Sequence, residues 1–390
     1  MFVRMMTVGG AMLLAASGAM AQEDLAAAFG AREQLEDVSL SPDGTRLAYI
    51  VPSKGQGSAL LTVTLGNDAK PVVTLMADGN PERIHSCNWV ANDRLVCTIY
   101  WVAQGPLQIL PFSRLVAVDA NGANLRLLSK AENFYSRALS LGGGGVIDWL
   151  PEEDGTVLMT RAQIADDRIG SRLGNSRSGV VVEKVDTRMM TTSRVENARE
   201  HADYLSDGHG TLRVMGVEQF ENGLNSGVTR YHYRAVGSRD WKPLGDYNYA
   251  AEIGFYPQAI DYERNAVYGY RKTDGRQALY RMALDGSMKE ELVLARPDVD
   301  VDGLIRIGRR NRVVGASYAT DIRQAAYFDP DLAKLRSSLS KALPQQPTVR
   351  IVDSSIDEKK LLVWAGSDDD PGVYYVLDRA TRQMAIFQPV

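Results

Sequence analysis

The sequence has few residues of the kinds that most often carry chemistry. Its 390 residues include only two cysteines, and its four histidines, His85, His201, His209 and His232, show no HExxH motif or close ligand spacing. A Cys-x-x-Cys pair and a glycine-rich phosphate loop are also missing. We therefore expect no metal ion and no cofactor, and no residue is identified as catalytic.

Basic clusters and long apolar runs are missing as well. The formal net charge is −4, and no basic run is interleaved with aromatic residues, which argues against a nucleic-acid partner. No segment after the first 21 residues approaches the ~20 apolar residues that a membrane helix needs, so no membrane span is expected. With 45% hydrophobic and 24% charged residues, the composition is typical of a globular protein with a sizeable core.

Residues 1–21 have the pattern of a signal peptide. Arg4 supplies the positive start, residues 8–16 form a short apolar segment, and Ala19 and Ala21 place small residues at the cleavage site. The alternative is a buried N-terminal helix. We expect an exported protein, periplasmic or secreted, that begins near Gln22, with residues 22–36 as a lead-in that includes a short helix over 24–29.

The two cysteines, Cys87 and Cys97, lie on the two arms of a predicted hairpin. A three-residue loop centred on Asn92 places them directly opposite each other, whereas a two-residue turn of Asn92 and Asp93 makes them diagonal neighbours. In an oxidising compartment a disulfide is favoured over two buried thiols.

A tight polar turn followed by an apolar strand recurs along the chain. In its first copy Pro42 presets φ, Asp43 can bond its own backbone, and Gly44 accepts a positive φ before the alternating strand 46–51 begins. Seven copies, marked by residues 43, 92, 154, 209, 263, 310 and 357, are spaced about fifty residues apart, the period of a propeller blade.

Each turn is followed by a second hairpin, which predicts an all-β, seven-bladed β-propeller of four-stranded antiparallel blades over residues 37–390. Blade one is predicted from about Asp37 to Met76 and blade seven from about Thr348 to Gln388, without a swapped strand. A helix near the sixth blade is predicted to begin with Asp329 as N-cap and Pro330 at the first position. Its Leu332, Leu335, Leu339 and Leu343 share one face, which we expect to pack over the propeller.

Several candidate sites are better explained as structure. Ser317 sits in a Gly-x-Ser-x-Ala run, but strand-like residues flank it where a nucleophile elbow needs a helix. Asp298, Asp300 and Asp302 begin like a calcium loop, yet the twelfth position is Arg309, so a solvated turn is favoured over a cation site. The acidic run 368–370 and His209 are likewise interpreted as turn residues.

Aromatic residues around blades four and five are expected to pack between blades rather than face a peptide; they are Tyr231, Tyr233, Trp241, Tyr247, Tyr249, Phe255 and Tyr256.

In order along the chain, the runs 38–44, 87–97, 146–151, 204–210, 328–333 and 367–378 resemble the N-terminal propeller of exported prolyl oligopeptidase family serine peptidases. The dipeptidyl or acylaminoacyl peptidase branch is the most similar. The resemblance implies a propeller that gates the access of short peptides to an α/β-hydrolase domain, which supplies the catalytic residues. This sequence ends without a nucleophile elbow, so none of those residues can be assigned and no activity is expected from this chain alone.

Two hypotheses follow from the resemblance. The first is the gating domain of a truncated or split serine peptidase, with an α/β-hydrolase domain or subunit and short peptides as partners. The second is a free-standing exported propeller that binds proteins or peptides, similar to the periplasmic Tol-system propeller, which also carries Ser-Pro-Asp-Gly turns.

Overall fold

Seven antiparallel sheets follow one another along the chain. The computed structural model describes residues 30–66, 70–105, 108–129, 141–165, 177–345, 347–367 and 370–387. The predicted signal peptide and the predicted helix over 24–29 lie outside these residues. The chain divides into a short unit, Met1–Gln34, of which only 30–34 are described, and the unit Leu35–Val390, to which everything below refers.

The strands are assigned to blades I to VII in chain order. Blade I contains β1 (Asp37–Leu40), β2 (Arg46–Pro52), β3 (Ser58–Thr64) and β4 (Val72–Ala77). Blade II contains β5 (Arg83–Ala91), β6 (Arg94–Gln104), β7 (Ile109–Asp119) and β8 (Arg126–Leu127). Blade III contains β9 (Gly145–Asp148), β10 (Thr156–Gln163), β11 (Gly179–Asp186) and β12 (Thr192–Arg199). Blade IV contains β13 (Ala202–Ser206), β14 (Leu212–Glu221), β15 (Leu224–Tyr233), β16 (Lys242–Asn248) and β17 (Ile253–Gly254).

Blade V contains β18 (Tyr256–Asp261), β19 (Ala266–Thr273), β20 (Arg276–Ala283) and β21 (Glu290–Leu294). Blade VI contains β22 (Val301–Ile307), β23 (Arg312–Ala319) and β24 (Arg323–Tyr327), followed by the helix α1 (Pro330–Ala342). Blade VII contains β25 (Thr348–Ser354), β26 (Lys360–Gly366), β27 (Val373–Asp378) and β28 (Gln383–Phe387).

This arrangement confirms the predicted seven-bladed propeller. Each sheet is a meander in which consecutive strands pair, so every blade is built from one continuous stretch of chain. Blade IV gains the short fifth strand β17, and in blade VI the helix follows the third strand. Blades I and VII each consist of their own four strands, so the described residues contain no strand exchanged between the first and last blades.

All seven predicted turns connect the first and second strands of a blade. In blade I the Asp43 carboxylate accepts hydrogen bonds from Ser41 Oγ at 2.6 Å and from the Thr45 amide at 3.0 Å. Blade VII repeats this geometry, since Asp357 accepts from Ser355 Oγ at 2.7 Å and from the Lys359 amide at 3.1 Å. The local turn chemistry that the sequence indicates therefore recurs in blades at opposite ends of the chain.

The apolar core lies between adjacent blades. Ala48, Ile50 and Leu60 of blade I pack against Trp89 and Leu95 of blade II. The same kind of cluster joins the last blade to the first, where Val38 and Leu40 contact Leu362 and Val376. Side-chain packing thus closes the ring between blades VII and I.

The helix α1 has the predicted cap and the predicted apolar face. The Asp329 carboxylate accepts hydrogen bonds from the amides of Asp331 at 3.0 Å and Leu332 at 3.2 Å. Leu332 is fully buried, and the other three predicted leucines pack beside it against blades VI and VII. Among the described residues no helix is long and apolar enough to cross a membrane.

The predicted disulfide between Cys87 and Cys97 is present. The loop between the strands has two residues, Asn92 and Asp93, but a bulge at Val90 shifts the register, so the cysteines are directly opposite each other. The expectation that a two-residue turn makes them diagonal neighbours was wrong because the bulge inserts one residue into β5.

Candidate functional site

The seven first turns lie at one end of the propeller, which we call the turn end: 41–45, 92–93, 149–155, 207–211, 262–265, 308–311 and 355–359. Consecutive antiparallel strands reverse direction, so the first turn of every blade falls at the same end of its sheet. First strands of successive blades contact each other, as β1 does with β5, β9 with β13 and β22 with β25. The first turns therefore surround the central channel.

Arg309, in the turn of blade VI, reaches across this channel. Its Nη1 donates a hydrogen bond to the carbonyl of Trp89 in blade II, and its Nη2 donates to the carbonyl of Leu40 in blade I at 3.0 Å. The guanidinium carbon lies 5.5 Å from the centre of the Trp149 ring, in blade III. Arg309 is 6% exposed, so its charge is held inside the ring.

Asp353, at the end of β25, is the charged group that faces Arg309. Burial lowers the pKa of Arg309 to about 10, and the attraction of Asp353 opposes this effect. Burial also raises the pKa of Asp353, against the opposing influence of Arg309 and of the backbone amides of Leu40 and Ser354. Those amides donate to the carboxylate at 2.9 and 2.8 Å. We call Arg309, Leu40, Trp89, Trp149 and Asp353 the Arg309 cluster.

Further contacts between turns close the turn end. Arg310 forms an ion pair with Glu152 of blade III. Gly208 of blade IV has a φ of 75°, and a Cβ there would lie 2.4 Å from the Arg310 carbonyl oxygen, so this approach requires glycine. The Ile356 amide of blade VII donates to the Pro42 carbonyl of blade I at 2.8 Å. The first turns are thus tied to one another across the channel as well as around it.

A cavity of about 470 Å³ lies between the turns of blades IV to VII. Most of its charged side chains are paired: Arg312 with Glu358 at 2.6 Å, and Arg264 with Asp261 at 3.3 Å. The His209 ring stacks on the Tyr262 ring at 3.8 Å. Tyr262 and Ile356 remain exposed at the cavity, which gives it an apolar as well as a charged wall.

The other residues singled out in the sequence lie elsewhere. Ser317 is part of β23, which pairs with strands on both sides, and its hydroxyl lies 3.1 Å from an Asp302 carboxylate oxygen. Asp298 pairs with Arg296 at 2.9 Å, Asp300 accepts from the Gln277 amide at 2.8 Å, and Asp302 pairs with Arg323 at 2.7 Å. Each carboxylate therefore has its own partner.

The described residues contain no cluster of three His, Cys, Asp or Glu side chains that could hold a metal ion. His85 packs against Tyr100, and His201 stacks on Phe220. In the acidic run 368–370, the first two residues lie outside the described part of the chain, and Asp370 accepts a hydrogen bond from the Gly372 amide at 2.9 Å.

Aromatic residues near blades IV and V pack as the sequence indicates. The core between these blades includes Tyr231, Tyr233, Tyr247 and Phe255, and Tyr256 packs against it. Tyr249 is 47% exposed and lies edge-on to Tyr256, with ring centres 5.4 Å apart. Trp241 instead lies beneath the Arg234 guanidinium, 3.9 Å from the ring centre.

Sequence reasoning did not identify Arg309 as a central residue. In the sequence, Arg309 was noted only because it occupies the position where a calcium loop needs a glutamate. Nothing in the Gly-Arg-Arg-Asn turn distinguishes the buried arginine from the exposed one. The one available signal was that this turn carries two consecutive arginines, whereas no other copy of the turn does.

Comparison with known proteins supports the fold. No protein-family model matches the sequence, and neither does any curated protein. A solved structure from a study of two prolyl endopeptidases is similar with a TM-score of 0.55 and 11% identity, over 91% of this chain and 49% of that chain. A second similar structure is the β-propeller domain of the Trilobed protease from Pyrococcus furiosus, which is described as having an open velcro topology. Its TM-score is 0.52 at 11% identity, over 91% of this chain and 97% of that chain.

A third similar structure is prolyl oligopeptidase B from Galerina marginata, with a TM-score of 0.50 and 12% identity, over 90% of this chain and 50% of that chain. The chain thus spans about half the length of the solved chains from the prolyl endopeptidase study and of prolyl oligopeptidase B, and nearly all of the Pyrococcus furiosus propeller domain. At these identities the likeness concerns the fold alone.

Proposed function

We propose that this chain is the non-catalytic propeller of an exported serine peptidase and that it limits which peptides reach an α/β-hydrolase domain or subunit. The observation that carries the proposal is the fold likeness over about nine-tenths of the chain to a propeller-containing prolyl endopeptidase. The turn end fits this role, because the hydrogen bonds of Arg309 to blades I and II lie across the channel there and narrow the path of a peptide.

The test uses the native protein from its own cells. Extracts are treated with a biotinylated fluorophosphonate, a probe that reacts with activated serines, and the propeller is captured with a specific antibody under native conditions. We expect probe signal in the captured material, either on a longer chain or on a bound second chain, and no signal on the purified 390-residue chain. Captured material without signal contradicts the proposal, as does labelling of the purified chain.

Gating is tested with peptides of increasing length on material captured in the same way from extracts that have not been treated with the probe. A gating propeller predicts rapid cleavage of short peptides and slow cleavage of long or folded ones, whereas an open active site cleaves both at similar rates. Equal cleavage of all lengths would contradict gating without contradicting the link to a peptidase.

A free-standing exported propeller that binds peptides or proteins is the second candidate. The cavity at the turn end favours it, since Tyr262 and Ile356 offer exposed apolar surface beside charged groups. Antibody capture of the propeller without a serine-reactive species supports this candidate over the first.

Export is part of both candidates and rests on the pattern of residues 1–21. N-terminal sequencing of the protein from fractionated cells tests it. We expect a mature chain beginning near Gln22 in the periplasmic or secreted fraction, and an intact Met1 in the cytoplasmic fraction would contradict export.

A further inference from the structure

The hairpin of β6 and β7 in blade II extends past the first strand of its sheet. The last pair between β5 and β6 is Arg83 opposite Tyr100. β6 continues to Gln104 and stays paired with β7 to its end. Among the residues that the structure describes, no strand pairs with residues 101–104 on the side of β5. We call residues 101–104 the free edge.

The free edge faces the central channel at the end opposite the turn end. β5 is a first strand, and first strands surround the channel, so the side of β6 on which β5 ends is the side of the channel. β6 begins at the turn end and runs away from it, which places residues 101–104 at the other end of the propeller. A peptide that enters the channel from that end passes the free edge.

The backbone of the free edge has hydrogen-bonding groups that point outward. In an antiparallel pair of strands, residues that bond the partner strand alternate with residues whose N–H and C=O point away from it. The Gly105 amide donates to the Gln108 carbonyl at 2.9 Å, so this pair is of the bonded kind. Counting back along β6, Gln104 and Val102 are therefore residues of the outward kind.

The partner strand β7 shows the same alternation. Pro111 is opposite Val102 and has no N–H to donate, as expected where the nitrogen points away from β6. Two residues further on, the Ser113 amide donates outward to the Leu141 carbonyl at 2.9 Å. The N–H and C=O groups of Val102 and Gln104 thus point to the free edge.

The hairpin lacks the charges that usually protect an exposed strand edge. Natural proteins place charged side chains or proline on such edges, or cover them, because an open edge pairs readily with another strand. Between Arg94 and Arg114 the sequence has no charged residue. The hairpin of β14 and β15 in blade IV also extends past its first strand, but it carries Glu218, Glu221 and Arg230. The free edge is therefore open to an added strand.

Side chains on both faces of the hairpin favour an uncharged, apolar partner. Val102 and Ile109 lie on one face and are 47% and 67% exposed. On the other face the rings of Trp101 and Phe112 stack with their centres 5.3 Å apart. A strand added to a sheet edge places its side chains alternately on the two faces, so its apolar side chains can contact these residues.

We propose that the free edge binds an extended, uncharged segment of a peptide as an added strand, held by the N–H and C=O groups of Val102 and Gln104. A peptide is the chosen partner because both candidate functions involve peptides, and in this respect the inference rests on the proposed function. The test uses the purified chain alone, so its failure leaves the link to a peptidase unaffected. Absence of a serine-reactive species likewise leaves the outcome at the free edge unaffected.

The test is amide hydrogen exchange with the blocked peptide Ac-Thr-Val-Thr-Val-Thr-NH₂. The amides of Val102 and Gln104 should exchange rapidly in the free chain. At a peptide concentration of about ten times Kd, their exchange should become about tenfold slower. The Ala103 amide, which points to β7, should not change. The same peptide methylated at every backbone nitrogen should not bind, whereas methylation of every second nitrogen leaves one strand edge intact and should permit binding.

Two proline variants of the same hairpin provide a matched pair. Val102→Pro removes an outward donor from the free edge and should weaken peptide binding about tenfold, the effect of losing one backbone hydrogen bond. Ile109 is opposite Gln104, so its N–H also points outward, but from the other edge of the hairpin. Ile109→Pro should therefore bind normally. If Val102→Pro does not fold, the exchange pattern of the wild type keeps the test decisive.

Several outcomes would overturn the proposal. Slow exchange at Val102 and Gln104 in the free chain at every protein concentration would mean that the chain itself covers the edge. Protection that appears only as the protein concentration rises would mean that a second copy pairs with it. Equal binding by Val102→Pro and Ile109→Pro, or protection by the peptide at other amides only, would place the peptide elsewhere.

Discussion

Arg309 is a charged side chain held where charge is costly. Removing a guanidinium from water costs several kcal/mol, and the cost is offset only when its donors and its charge are satisfied. Here the two Nη groups donate to the carbonyls of Leu40 and Trp89, and Asp353 supplies the opposing charge. Arg309 therefore stabilises the turn end only as part of a set that comes from four blades.

Replacing Arg309 tests this dependence. Arg309→Met keeps most of the side-chain volume but leaves two buried carbonyls without donors and Asp353 without its countercharge. We expect the free energy of unfolding to fall by about 3 kcal/mol, measured by denaturation in guanidinium chloride. Arg264→Met, on the same cavity but exposed, should cost less than about 0.5 kcal/mol; similar losses for both variants would show that the Arg309 cluster adds little.

Asp353 should make stability depend on pH with a defined sign. Its pKa in the folded protein is raised above the ordinary value of 3.8, chiefly by burial. Its stabilising contribution is therefore complete below pH 3.8 and is lost as the pH rises through the folded-state pKa. The stability of the wild type relative to Asp353→Asn should fall as the pH is raised from this value.

Asp357 provides a control of opposite sign. The hydroxyl of Ser355 and the amide of Lys359 lower the pKa of its carboxyl group to about 2. Its contribution to stability is present above pH 3.8 and is lost as the pH falls towards 2. Asp357→Asn should therefore be less stable than the wild type at neutral pH, and this difference in stability should disappear on acidification. Unfolding curves collected across this range test both signs, and parallel behaviour of the two variants would contradict the assignment.

At the scale of elements, the features that could be predicted are those encoded locally. The turn at Pro42, Asp43 and Gly44 and the cap at Asp329 and Pro330 are specified by residues that contact their own neighbours. The bulge at Val90 was not predictable, because the intervening residues suit either register equally well and only the pairing of whole strands selects one.

The cap of α1 offers a direct test at this scale. Asp329→Ala removes the acceptor for the amides of Asp331 and Leu332, and the stability should fall by about 1 kcal/mol. Asp329→Asn retains a capping side chain but not the charge that faces Arg312. Its loss of stability should be about half that of Asp329→Ala or less. If both variants lose equally, the ion pair rather than the cap stabilises the helix.

At the scale of the whole molecule, the part of the chain that the structure describes closes the ring without an exchanged strand. Blades VII and I are joined by apolar packing, by the Leu40 amide on Asp353 and by the Ile356 amide on the Pro42 carbonyl. The Arg309 cluster adds a tie from blade VI to blades I and II, over sequence separations of 269 and 220 residues. Such contacts could not be predicted, because backbone carbonyl acceptors leave no mark on the residue types at those positions.

Because blades VII and I are joined without an exchanged strand among the described residues, we expect the ring to open most easily between them, and hydrogen exchange can detect this opening. The amides of Leu40 and Ile356 bridge blades VII and I, while the Gly210 amide bridges blades III and IV by donating to Asp148 at 2.8 Å. Because Arg309 connects blade VI to blade I, Arg309→Met should allow the ring to open between blades VII and I. We expect exchange at Leu40 and Ile356 to become about tenfold faster or more, equivalent to about 1.4 kcal/mol, with a smaller change at Gly210.

The comparison variant for this experiment is Asp329→Ala, which lowers stability without removing a contact to blade I. In that variant the three amides should change by similar and smaller factors. If Arg309→Met accelerates all three amides equally, the cluster stabilises the propeller as a whole and does not control opening between its first and last blades. A selective effect at Leu40 and Ile356 would identify the contact between blades VII and I as the place where the ring opens.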